Sequence, residues 1–163
     1  MLVRYPAADT CRESRHVSYF IKIRHAGALQ FPEGFDYRPA NPSDPDSISL
    51  RGNDMSGVLA LMRAVEVLDL AIDKPGKRKK TTPGKVPLYK FQLSDGHQVT
   101  AEEARTIVDA FDRAGAIDAA FIAANFPKID TSRPELVKVV QELADVWIAF
   151  NRVAAANDGY TVG

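Results

Sequence analysis

Polar and apolar positions alternate from Val17 to His25: Val17, Tyr19, Ile21 and Ile23 fall on one side, Ser18, Lys22 and Arg24 on the other. Period-two alternation rich in β-branched and aromatic residues predicts a half-buried strand. Residues 26 to 47 break the pattern with Pro32, Pro39, Pro42, Pro45 and two glycines, and read as loop. Asn53, with Asp54 in the first turn, is a good N-cap for a first helix. Val58, Leu61, Met62, Val65, Leu68 and Ile72 recur at helical spacing and carry that helix to about Asp73, where Pro75-Gly76 stops it. Leu88 to Leu93 predicts a second strand, closed by the turn Ser94-Asp95-Gly96-His97.

The second half is better punctuated. Thr100-Ala-Glu-Glu103 is a capping box, in which the threonine oxygen accepts the Glu103 amide and the Glu103 side chain reaches back. The helix it opens places Ala104, Ile107, Val108, Phe111 and Ala114 on one side, with Arg105, Asp109 and Arg113 as an i, i+4 ladder opposite. Gly115 ends it. Ile117 to Phe126 predicts a short helix closed by Pro127, and Ser132-Arg-Pro-Glu135 reads as a second capping box. From there Leu136, Val139, Val140, Leu143, Trp147, Phe150 and Ala154 form a continuous apolar stripe to about Asn157, with Trp147 at the centre of the core. Asn151 projects within that stripe, which predicts a hydrogen bond to a loop or neighbouring element. Tyr160 to Val162 reads as a short terminal strand. The sum is an α+β fold, a small and mainly antiparallel sheet with three to four helices packed on one face, in a single domain spanning residues 1 to 163.

Charge changes this picture in one place. Lysine plus arginine equals aspartate plus glutamate, 21 against 21, so no global field favours nucleic acid or membrane. Residues 74 to 85, however, hold six basic side chains and no acid, in a segment whose glycines and prolines predict a flexible loop; residues 1 to 15 read as flexible too. Within it, Lys77, Arg78, Lys79 and Lys80 are the candidate nucleic-acid contacts. No aromatic residue interleaves them, and the stretch lacks the Gly-Lys-Ser/Thr spacing of a phosphate loop. Cys11 is the sole cysteine, no apolar leader follows Met1, and no apolar run approaches the ~18–20 residues that span a bilayer. The expectation is a cytoplasmic protein with no membrane association.

Candidate chemistry is sparse. Ile48 occupies the third ligand position of a calcium loop that would start at Asp44, and His16, His25 and His97 lack metal-ligand spacing, so no metal and no cofactor are expected. Cys11 with His16 lies in a polar segment unsuited to holding a nucleophile and base in register. Asp95-Gly96-His97 offers a general base and acid on a turn, although Asp-Gly is also common turn chemistry. Residues 100 to 126 outline helix–turn–helix, yet the second helix has no lysine or arginine with which to read DNA. The first helix carries a second apolar stripe, Leu59, Val67 and Leu70 with Arg63 beside it, which predicts a homodimer or protein-partner interface unless another part of the chain roofs it.

Ser94-Asp-Gly-His-Gln-Val-Thr-Ala-Glu-Glu-Ala104 and Phe150-Asn-Arg…Asp158-Gly-Tyr-Thr-Val162 resemble, over the second half only, small uncharacterised bacterial and phage-associated proteins with a strand, a D-G turn, a capped helix and a glycine-aromatic-x-Val tail. That resemblance implies no activity and assigns no catalytic residue. The leading expectation is a non-enzymatic accessory protein, of immunity or inhibitor type, working through protein contact. The alternatives are a nucleic-acid-associated protein using residues 74–85 and an enzyme with its site at the Asp95–His97 turn.

Overall fold

The alternating segment that starts the fold pairs on both sides. In the computed structural model, which describes residues 18–76, 79–92 and 95–163, it becomes β1 (Ser18–Ile23). After it come β2 (Ser47–Arg51), α1 (Gly52–Ala64), β3 (Leu68–Asp69), β4 (Val86–Pro87) and α2 (Tyr89–Gln92). The second half contributes β5 (His97–Val99), α3 (Ala101–Ala114), α4 (Ala119–Asn125), α5 (Pro134–Ala155) and β6 (Tyr160–Val162). The main sheet is antiparallel with strand order β2-β1-β6-β5, and a two-stranded parallel ladder joins β3 to β4. This is the α+β architecture expected, with helices on one face of the sheet.

Ile21, Ile23, Ile48, Leu50, Val99, Tyr160 and Val162 point toward the helices and are buried. Trp147 of α5 meets them at the centre, 1% exposed, with ring centroids 6.0 Å from Tyr160 and 6.2 Å from Phe91, both edge-on. Edge-to-face pairs at this separation add about 0.5–1.5 kcal/mol beyond area burial. α1 crosses α5 closely: a Cβ on Gly57 would stand 2.7 Å from the Leu143 side chain. At Gly159, before β6, φ is +76° and a Cβ would collide with the Val99 carbonyl oxygen, so only glycine lets β6 enter the sheet.

Several expectations are corrected. The first helix starts at Gly52, with Arg51 as N-cap and Asp54 accepting from the Arg51 amide at 3.2 Å, so Asn53 lies inside it. It also ends nine residues before Asp73, at Ala64. Glu66 takes a left-handed φ of 58°, its amide donates to the Arg63 carbonyl, and the Val67 amide reaches back to Met62 at 3.1 Å. That double bond pattern is a Schellman stop, and it is hidden in the sequence because glutamate occupies the position glycine usually fills. Leu68 then enters β3, and Val67, Leu68 and Ile72 stay buried without being helical.

The strand expected over Leu88–Leu93 is not formed by its described residues, 88 to 92 (Leu93 lies outside them): Leu88 and Phe91, three apart, both reach the core, and Tyr89–Gln92 is one helical turn. β2 and β5 are not expected from the sequence, because each has only two inward side chains; only Ser47 of β2 and His97 of β5 fall in the loop and turn read there. Thr100 caps α3 as expected, accepting from the Glu103 amide at 3.1 Å. Ser132 does not cap α5. It turns back to Asp130 Oδ1, with its hydroxyl at 2.6 Å and its amide at 3.0 Å, and the cap position passes to Arg133 with Pro134 behind it. Asp118 caps α4 through the Phe121 amide at 2.9 Å. Arg105, expected in an i, i+4 ladder with Asp109 and Arg113, donates instead to the Ala155 carbonyl at 3.3 Å, and Asp112, outside that ladder, accepts from Arg152 of α5 at 2.7 Å.

Candidate functional site

Strand register decides which side chains share the sheet face turned away from the helices. Phe20 stands opposite Ser49, Ser18 opposite Arg51, Lys22 opposite Ser47 and Thr161, and Thr161 opposite Gln98. Residues directly opposite in an antiparallel pair project to the same side. Phe20, Lys22, Ser49, Arg51, Gln98 and Thr161 therefore make one surface, and Arg24 extends it, its Nη1 donating to Gln98 Oε1 at 3.1 Å. No described helix or loop covers this surface: Phe20 is 50% exposed although β1 is an interior strand, and Lys22, Arg24, Ser49, Arg51 and Gln98 are exposed.

The ring of Phe20 stands between small neighbours. Ser49 is across from it on β2, and on the other side the Phe20 and Gly163 backbones exchange hydrogen bonds of 2.7 and 2.9 Å. Three of the face's side chains are cationic and none is acidic. One carboxylate approaches from the rim: Asp46 lies 3.7 Å from Lys22 Nζ and 3.0 Å from His25 Nε2. The other ring nitrogen of His25 faces the Gly27 carbonyl at 2.7 Å. Both partners are acceptors, so the ring is best satisfied when it carries both protons. The hydrogen bond to Asp46, then that to Gly27, raises the His25 pKa above its ordinary value.

The residues singled out from the sequence go to other places. Lys77 and Arg78 lie outside the described residues, as do Cys11 and His16. Lys79 and Lys80 are exposed. The far end of that basic stretch is anchored by buried Asp69, whose carboxylate accepts the Thr82 amide at 2.8 Å and the Ala71 amide at 3.2 Å. The Thr82 bond, opposed by burial, holds the Asp69 carboxyl below the usual carboxylate range. Thr81 to Lys85 share a groove of about 290 Å³ with Glu102 and Glu103, an unfavourable place for a phosphate. Leu59 is half-buried and Arg63 exposed on α1, whereas Val67 belongs to the core and Leu70 lies in the turn after β3, 54% exposed. The four do not form one helical face, since the helix they need stops at Ala64.

At the Asp95–His97 turn, Asp95 and Gly96 are exposed. His97 opens β5 and packs edge-on against Tyr89, its ring centroid 5.1 Å away. Its Nε2 is buried with no hydrogen-bond partner among the described residues; Trp147 Nε1, Tyr160 OH and Asn151 Oδ1 share that condition. Asn151 was expected to bridge to another element; its Nδ2 donates instead to Trp147 O, one turn back in α5, at 2.8 Å. Between α3 and α5 a groove of about 350 Å³ runs under Phe35, with Arg105 and Arg152 on its wall. Both arginines are engaged by the fold: Arg105 by the Ala155 carbonyl, Arg152 by Asp112 and by the Phe35 ring 5.9 Å away.

Phe20 and Arg51 are the residues that sequence reading missed. The alternation read from the sequence places Phe20 on neither side of β1, and Arg51 lies in the stretch between the loop over residues 26 to 47 and the expected N-cap Asn53, to which the sequence reading gives no element. The signal that finds Arg51 is the alternation Ile48, Leu50 inward against Ser49, Arg51 outward. Among the described residues no group of three or more His, Cys, Asp or Glu is placed to hold a metal ion, and no helix is long and apolar enough to cross a membrane. No family model, curated protein or solved structure matches this chain.

Proposed function

We propose that this chain works as a binding protein that engages a polyanionic macromolecule through the uncovered face of its sheet. One observation carries the reading: Lys22, Arg24 and Arg51 share a surface with no acidic side chain of its own. The chain as a whole is neutral, with a pI near 6.8, so attraction to a polyanion has to be local. A sheet fixes the spacing of its side chains through the backbone ladder, which presents three cations with less ordering cost than a loop would incur. This keeps the non-catalytic interaction role suggested by the sequence. It moves the working surface away from α1, where the expected second stripe is divided between core and turn. It also moves the cationic contact from residues 74–85 to β1 and β2.

The test is retention on immobilised heparin as a function of salt. Binding through three cations predicts elution that shifts strongly with ionic strength, and a double variant Lys22→Glu/Arg51→Glu that flows through. Retention of that variant equal to the parent chain would overturn the assignment of this surface.

A further inference from the structure

Resting on that reading, we infer that the polyanion is single-stranded nucleic acid, with Phe20 as a stacking platform for a base and Lys22, Arg24 and Arg51 as contacts to the phosphates around it.

Charge alone does not account for Phe20. A half-exposed phenylalanine on an interior strand is kept out of the core by register, since Tyr19 and Ile21 on either side of it point toward the helices. Single exposed apolar side chains are ordinary on protein surfaces. This one, however, sits in the middle of a cationic field, flanked in register by Ser49 and Gly163, which are too small to cover a ring. An aromatic platform within a positively charged surface is the combination that binds unpaired bases, because every base has a π-face and every nucleotide a phosphate.

The same geometry argues against the other polyanions. A duplex keeps its bases stacked inside, so its backbone would meet the three cations and leave Phe20 without a partner. An acidic peptide would likewise use the cations and have no need of a flat, open aromatic. Successive outward side chains of a strand are about 6.6–6.8 Å apart, so Phe20, Lys22 and Arg24 form a line along β1, with Arg51 to one side on β2. A single strand lying along β1 meets the ring first and then a cation on each following step. Ser49, Gln98 and Thr161 bring hydroxyl and amide groups to the same surface, within reach of base edges or a ribose 2′-hydroxyl.

The experiment is fluorescence anisotropy with three labelled probes: a mixed-sequence RNA of about ten nucleotides, the duplex of the same sequence, and a polyglutamate of equal charge. Each is titrated with the full chain, with Phe20→Ala, with Phe20→Trp and with Lys22→Glu/Arg51→Glu, after circular dichroism has shown each variant folded. The expected result is preference for the single strand. Phe20→Ala weakens it about tenfold or more with the salt slope unchanged, and Phe20→Trp restores it. The charge variant lowers the slope by about two. Equal affinity for single strand and duplex, or for polyglutamate, with Phe20→Ala neutral, overturns this inference and leaves the polyanion reading standing. Absence of salt-dependent binding to all three probes overturns both. Binding that survives the charge variant but not Phe20→Ala keeps the platform and removes the cationic reading.

Discussion

The two faces of one sheet follow different rules. On the helix side, β1, β2, β5 and β6 present Ile21, Ile23, Ile48, Leu50, Val99, Tyr160 and Val162, all buried and packed around Trp147. On the other side the same four strands present serine, threonine, glutamine, Lys22, Arg51 and one phenylalanine, with the third cation, Arg24, directly after β1. The backbone ladder is common to both, so the contrast lies wholly in side chains chosen at alternate positions. The inner face is shaped by exclusion of water. The outer face gains little for folding from a half-exposed Phe20 or from three like charges with one ion pair at the rim, and a surface that serves the fold so little is where a binding role is to be sought.

The sharpest way to break this comparison is from the inside. Trp147→Ala removes the ring that Phe91, Phe150 and Tyr160 pack against, and is expected to cost about 3–5 kcal/mol, read by urea denaturation. A loss below about 1 kcal/mol would mean that the inner face does not depend on its central aromatic.

A smaller effect is expected at the rim. His25 titrates at a raised pKa because of Asp46, so its folded value lies above the unfolded value of about 6.5. The stabilisation is fully present below that unfolded value and is lost as pH rises through the folded one. The melting temperature should therefore fall between mildly acidic and mildly alkaline buffer, and His25→Gln should flatten that dependence. An unchanged pH profile in His25→Gln would remove the ion pair from the account.

The smallest effect is expected on the outer face itself. Phe20→Ala and Arg51→Glu should each change stability by no more than about 0.5 kcal/mol in the same denaturation experiment, while binding collapses. If Phe20→Ala destabilised as a core substitution does, the two faces would not be as distinct as their exposure implies.

How far the sequence discloses this arrangement depends on how many side chains repeat a signal. β1 repeats its alternation often enough to be read, and with it the outward Lys22 and Arg24. α3 announces itself through Thr100 and Glu103. β2 and β5 offer two inward residues each, too few to separate a strand from a loop, and so the sequence gives Arg51 no element at all. The stop of α1 is written in backbone bonds at Glu66 rather than in a residue type, which let a helical pattern run on through Val67 and Leu70 and suggested an interface there. The outer face became visible only when pairing placed the strands side by side, because its β1 and β2 members lie about thirty positions apart along the chain and Gln98 and Thr161 farther still.

Strand order has a consequence in time. β6 lies between β1 and β5, and its register ties Ile21 to Val162 and Ile23 to Tyr160. A nascent chain that has emerged as far as Ala155 can form α3 and most of α5 from local contacts, but its sheet is still in two parts that do not touch. Closure needs the pairing of β6 with β1, residues about 140 positions apart, and contacts of such separation slow folding. Until β6 docks, the edges of β1 and β5 that it will pair with are free to pair with other chains, and unpaired strand edges favour aggregation.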